Sequence, residues 1–151
     1  MTKQNGMALA LQQAQLAAEN GEVPVGAVLL DSNGNVLAQA GNRVEEQHDP
    51  SAHAEMLVMR EAVQQRQGQK LADCTLFVSL EPCPMCAAAM AHFRLGRVVF
   101  GAYDPKGGGV EHGARLPYRP ETLHRMEVIG GVREQEAAEM LKAFFQKLRC
   151  R

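Results

Sequence analysis

No stretch of the sequence stays apolar for the ~20 residues that a membrane-spanning helix needs, so a membrane protein of that kind is not expected. The first residues, Met1-Thr2-Lys3-Gln4-Asn5-Gly6, lead into an Ala/Leu/Gln stretch, without the apolar core and small-residue cleavage site of an export signal. The expected compartment is therefore the cytoplasm, where thiols stay reduced. Strong charge of one sign is also missing. The formal net charge is −1, with 22% charged and 46% hydrophobic residues, which excludes the polar, charge-imbalanced composition of a disordered chain. No internal repeat or low-complexity block occurs. Cysteine is sparse: four residues, of which only Cys83 and Cys86 are closely spaced, so a disulfide framework is not indicated. Cys74 reads as a small buried residue and Cys150 as a tail residue. The 151 residues suit one domain, 1–151, with an ordinary core.

What is present alternates between helix and strand signals. Residues 7–18 carry strong helix formers, and Asn20-Gly21 ends them. Residues 23–30 are short, apolar and rich in β-branched types, a buried strand. The turn cluster 31–35 returns the chain as a second strand over 36–40. Residues 41–50 read as loop and 51–65 as a helix. A strand at 75–80, a helix at 82–93 and a strand at 97–101 follow. Residues 102–120 form a glycine-rich connection long enough to be functional. A short strand near 126–129 and a helix over 134–148 close the chain. This order predicts an α/β fold: three layers, α/β/α, around a central mixed five-stranded sheet. The first hairpin is antiparallel, and the two later strand–helix–strand crossovers predict parallel neighbours.

Two segments carry chemistry, His53-Ala54-Glu55 and Pro82-Cys83-Pro84-Met85-Cys86. The second places two thiols three residues apart where a strand gives way to a helix, with Pro84 suited to the first helical position. The free N–H groups and positive potential of a helix start favour thiolates. His53 is expected in the first turn of the preceding helix. One nitrogen and two sulfur ligands suit Zn²⁺, and three protein ligands leave a fourth tetrahedral position for water. The pKa of that water falls from 15.7 to about 7. Glu55, two residues from His53, lies beside the metal without needing to bind it, where a carboxylate can move protons. A lone Cys-x-x-Cys also serves redox and structural sites. A lone histidine at a helix start is usually a satisfied one. The combination is far more specific than its parts.

On these residues the sequence resembles the cytidine deaminase superfamily and, more narrowly, the bacterial tRNA-specific adenosine deaminases. The resemblance runs from about residue 7 to 149 and includes 22–28, Gly41-Asn42-Arg43, 49–55, 80–87 and 96–102, with a Phe144-Phe145 pair in a basic last helix. It implies a cytidine-deaminase-like fold and hydrolysis of the wobble adenosine in a tRNA anticodon loop to inosine. Zinc-activated hydroxide would attack C6 while Glu55 shuttles protons. It assigns one zinc ion to His53, Cys83 and Cys86. Asn42 and the backbone N–H of Ala54 would hold the base, Val25 would line its pocket, and Asp104, followed by Lys106, would approach the RNA. It also implies a homodimer holding the anticodon stem-loop across its interface.

After Asp104 the sequence departs from many relatives, reading Pro105-Lys106-Gly107-Gly108-Gly109-Val110-Glu111-His112-Gly113. His112 reads as a phosphate contact or a solvated loop residue. Between Arg94 and Arg119 five Lys/Arg stand against two acids, and Lys142, Lys147, Arg149 and Arg151 follow, the kind of clustering that phosphate binding uses. One of Phe144 and Phe145 is expected in the core. The same catalytic residues would serve a deaminase of a free nucleobase or nucleoside such as guanine or cytosine. A third reading, a non-catalytic zinc-stabilised RNA-binding subunit, leaves Glu55 without a task.

Overall fold

The structure, a computed structural model, describes residues 3–150. Helix α1 (Lys3–Glu19) precedes a hairpin of β1 (Gly26–Leu30) and β2 (Val36–Gly41). A short helix α2 (Val44–Gln47) interrupts the segment expected as loop, and α3 (Ala54–Gln65) follows. Strand β3 (Thr75–Leu80), helix α4 (Pro84–His92) and strand β4 (Arg97–Ala102) come next. A 3-10 turn (Leu116–Tyr118), strand β5 (Glu127–Ile129) and helix α5 (Glu134–Arg149) complete the described chain.

The five strands form one mixed sheet in the order β2-β1-β3-β4-β5. Strand β1 is antiparallel to both β2 and β3, while β3–β4 and β4–β5 are parallel. One expectation fails here. The crossover from β2 through α3 does not reach a neighbouring strand, because β1 lies between β2 and β3. Burial explains the choice. All five residues of β1 are buried, so it needs a partner on each side, whereas β2 begins with exposed Val36 and tolerates an edge.

Successive residues of the central strands serve two different cores, as the pleat requires. Ala27, Leu29, Leu76, Val78, Val98 and Phe100 pack with residues of α3 and α4 such as Met59 and Met90. Val28, Leu30, Phe77 and Val99 pack with Met7, Ala10 and Leu11 of α1 and Ala137 of α5. Both faces are therefore covered, which is why these strands read as continuous apolar runs. Helix α1 lies close to the sheet where the sequence has glycine. A Cβ on Gly26 would stand 2.1 Å from the Ala10 carbonyl oxygen and 2.4 Å from the Ala14 nitrogen.

Helix α3 starts three residues later than its composition suggests. The Asp49 carboxylate accepts hydrogen bonds from the Ser51 N–H (2.9 Å) and hydroxyl (2.7 Å), which holds the chain in a turn before the helix. His53 thus caps α3 in extended conformation instead of lying in its first turn. Phe144 is half-buried and Phe145 40% exposed, so neither is a core residue; their rings meet edge to face at 5.5 Å.

A candidate metal centre at one edge of the sheet

Every segment of the site ends or begins at the same edge of the sheet. Register pairs Gly26 with Gly41, Ala27 with Val78, and Leu80 with Ala102, so the start of β1 and the ends of β2, β3 and β4 lie together. Beyond that edge stand the first residues of α3 and α4. His53 caps α3 and Cys83 caps α4, with Pro84 opening α4 and Cys86 inside its first turn. Two helix N-termini converge on one place.

His53 Nδ1 lies 3.6 Å from Cys83 Sγ and 3.5 Å from Cys86 Sγ, and all three ligand atoms fall within 4.8 Å of one another. Tetrahedral zinc with ordinary Zn–N and Zn–S bonds separates nitrogen from sulfur by about 3.6 Å. The spacing fits zinc, and so does the electrostatics. The Cys86 thiol, and after it the His53 ring, hold the Cys83 thiol down to about 4 against its burial. Hydrogen bonding to Cys83, then burial, pushes Cys86 up. The Cys83 contact raises His53 in turn. One thiolate forms readily and opposes the second, an opposition that a dication removes.

Glu55 is buried, and its Oε1 has no hydrogen-bond partner among the described residues. Burial is the main reason its carboxyl is pushed up to about 7. A buried polar atom without a partner is costly, and this one lies beside the ligand trio in a cleft of about 340 Å³.

The expected substrate residues divide. Val25, Asn42 and Asp104 line the cleft with His53, Glu55 and Cys83. The Asn42 N–H donates to the Val25 carbonyl (3.0 Å), and Asn42 Oδ1 accepts the Ala54 N–H (2.8 Å). Ala54 is therefore already satisfied by Asn42. Asp104 Oδ1 accepts the N–H groups of Lys106 and Gly107, closing a turn. Lys106 is exposed outside the cleft, whose lining includes Gly107. Three of the basic residues are held in ion pairs. Arg97 pairs with Glu127 at the opposite sheet edge, while Arg115 and Arg119 pair with Glu111 and Glu121. Arg151 lies outside the described residues.

Two buried carboxylates escaped the reading of the sequence, where each looks like an ordinary polar residue between elements. Glu22 accepts the N–H groups of Glu45 (3.0 Å) and Glu46 (2.9 Å) and so holds α2 at the cleft. Glu81 binds the loop after β4, and His112, expected as a phosphate contact or a solvated loop residue, lies half-buried with its Nδ1 on the Glu81 carboxylate.

A histidine and two cysteines on converging helix starts, with a buried carboxyl beside them, define a zinc-dependent deaminase. The sequence model of the cytidine and deoxycytidylate deaminase zinc-binding region matches residues 1–102. The tRNA-specific adenosine deaminase of Agrobacterium fabrum is 46% identical over 143 residues, covering 95% of this chain and 93% of its own. That of Bacillus subtilis is 47% identical over 140 residues, covering 93% and 86%. A solved structure from work on A-to-I editing by tRNA:A34 deaminases superposes with a TM-score of 0.88 at 46% identity, covering 91% of this chain and 99% of that one. The chain belongs to the tRNA-specific adenosine deaminase family.

Proposed function

We propose that the protein hydrolyses the wobble adenosine of a tRNA anticodon loop to inosine and releases ammonia. The observation that carries the chemistry is the buried Glu55 carboxyl, one oxygen of which has no partner among the described residues, beside the His53–Cys83–Cys86 trio. Identity of 46–47% to tRNA-specific relatives over nearly the whole chain supports RNA as the substrate.

His53, Cys83 and Cys86 hold zinc, which when bound supplies a water acidified to a pKa of about 7. Glu55 would take one proton from the water whose oxygen bonds to C6 and deliver it to N1 of the purine, where it stays. It would then carry the second proton from that oxygen to the amine as the C6–N bond breaks and ammonia leaves. Burial favours its protonated form, which suits a group that must give back the proton it has taken. Asn42 commits Oδ1 to the Ala54 N–H, which leaves its Nδ2 to donate to an acceptor on the base. Ala54 thus acts through Asn42. Val25 forms an apolar wall, and Asp104 shapes the rim that carries Lys106. An anticodon loop presents bases that splay out without breaking a duplex.

The same reading takes the chain as one deaminase domain working in the cytoplasm as a homodimer. Among the described residues no helix is long and apolar enough to cross a membrane. Leu123, 87% exposed, offers apolar surface of the kind that a second copy covers.

The deciding assay measures inosine in a synthetic anticodon stem-loop with adenosine at the wobble position, alongside ammonia from free guanine and cytosine. Inosine without ammonia from free bases is expected. The reverse pattern would overturn the RNA substrate and leave the zinc chemistry standing.

A further inference from the structure

Glu81 follows the last residue of β3 and precedes Pro82-Cys83, and its side chain is fully buried. Such a carboxylate is stable only where many donors meet it. Among the described residues its hydrogen-bond partners include no Lys or Arg. Oε1 accepts the Asp104 N–H (3.0 Å) and lies 2.8 Å from His112 Nδ1. Oε2 accepts the N–H groups of Val110 (3.2 Å), Glu111 (2.8 Å) and His112 (3.0 Å). One anion gathers both ends of the loop that borders the cleft.

The three-glycine run belongs to this arrangement. A Cβ on Gly108 would stand 2.4 Å from Glu81 Oε2 and 2.6 Å from the Asp104 carbonyl oxygen. A Cβ on Gly109 would stand 2.7 Å from both the nitrogen and Cα of Pro84. The Gly109 N–H donates to the Pro82 carbonyl at 2.8 Å. The loop backbone therefore lies flat on the segment that carries the zinc ligand Cys83. Within residues 107–113 only Gly108, Gly109 and Val110 are buried, so Val110, which joins the core, is the one apolar side chain there that shares with the carboxylate in setting the loop's shape.

We infer that Glu81, clasped by His112 and approached by Gly108, is the positioning residue that holds the substrate-facing loop in its receptive shape before RNA arrives. It touches no reacting atom. The inference rests on the RNA reading above, because it assigns the rim of Asp104 and Lys106 to stem-loop binding. A loop ordered in advance spends no binding energy on its own ordering, so the effect belongs in KM and not in kcat.

The test uses the zinc-loaded full chain with three variants, Glu81→Gln, Gly108→Ala and His112→Ala, and the double variant of the first two. Each is measured for zinc per chain, for kcat and KM on the anticodon stem-loop, and for the rate of tryptic cleavage after Lys106. Expected are full zinc, kcat within about threefold of the parent, and KM raised about tenfold for Glu81→Gln and Gly108→Ala, a tenfold change being ~1.4 kcal/mol. The double variant should be no worse than the poorer single one, since both disturb one contact. His112→Ala should show a smaller KM rise and, with its half-buried ring, serves if either buried change fails to fold. Cleavage after Lys106 should quicken in all of them. Loss of zinc, a fall in kcat at constant KM, or unchanged cleavage would overturn the inference. If the parent makes no inosine, the RNA reading fails by itself, and the cleavage rates still judge whether Glu81 holds the loop.

Discussion

Glu55 combines two costs in one side chain: it is buried, and one of its oxygens has no partner among the described residues. Removing the carboxyl should therefore relieve the fold while stopping the reaction. Glu55→Gln is expected to keep zinc, to melt no lower than the parent, and to lose at least ~100-fold in rate, the lower range for general acid–base catalysis. Zinc analysis, a thermal melt and the stem-loop assay check all three; loss of the metal would show Glu55 to be a ligand. Cys74 illustrates a thiol with the opposite temperament. Burial, followed by the charge of Asp73, pushes it up to about 11. At pH 8 iodoacetamide should modify exposed Cys150 and spare Cys74 in the zinc-loaded protein, as peptide mass mapping can establish. The linkage has a definite sign. Between the ordinary thiol value of 9.0 and about 11 the unfolded chain ionises at this position and the folded one does not. Stability contributed by Cys74 is thus whole below that window and lost as pH rises through it. Denaturant titrations at several alkaline pH values should show a shallower decline in Cys74→Ala than in the parent.

The elements were legible in the sequence to the extent that their signals were local. Turn residues at 31–35, the apolar run before them and Pro84 at a helix start each act over a few residues, and the structure agrees with them. The position of β1 between β2 and β3 was not legible, because pairing partners some fifty residues apart leave no mark on either strand. The start of α3 was misjudged for a different reason: Asp49 captures Ser51, a side-chain event that helix propensity does not describe. At the site, the ligand types and the place of Glu55 beside them were legible from chemistry, whereas the place of Glu81 was not. A lone glutamate becomes the centre of a loop only through residues that arrive more than twenty positions later. The same contrast applies to Gly26, whose need for glycine comes from a helix packed across it. Gly26→Ala forces a Cβ against the backbone of α1 and should cost ~1–3 kcal/mol by overpacking. Equilibrium denaturation in urea measures that cost, and a loss near zero would mean that α1 can shift away.

Across the whole molecule, the two cores lie on opposite faces of the sheet while the metal centre sits at its edge. The centre nonetheless touches one of those cores, to which Cys86, Ala54 and Val25 belong. Chelation should abolish inosine formation, lower the melting temperature, and leave the helical circular dichroism largely intact. Collapse of that signal on chelation would make the metal part of the folding machinery, as it is in small zinc domains. The ligands themselves occupy residues 53 to 86, and the loop clasped by Glu81 is complete only at His112. A ribosome adding ~5–20 residues per second needs roughly one to five seconds to travel from the last ligand to that histidine. In the order of manufacture, the grip on the metal is finished before the doorway for the nucleic acid has been built.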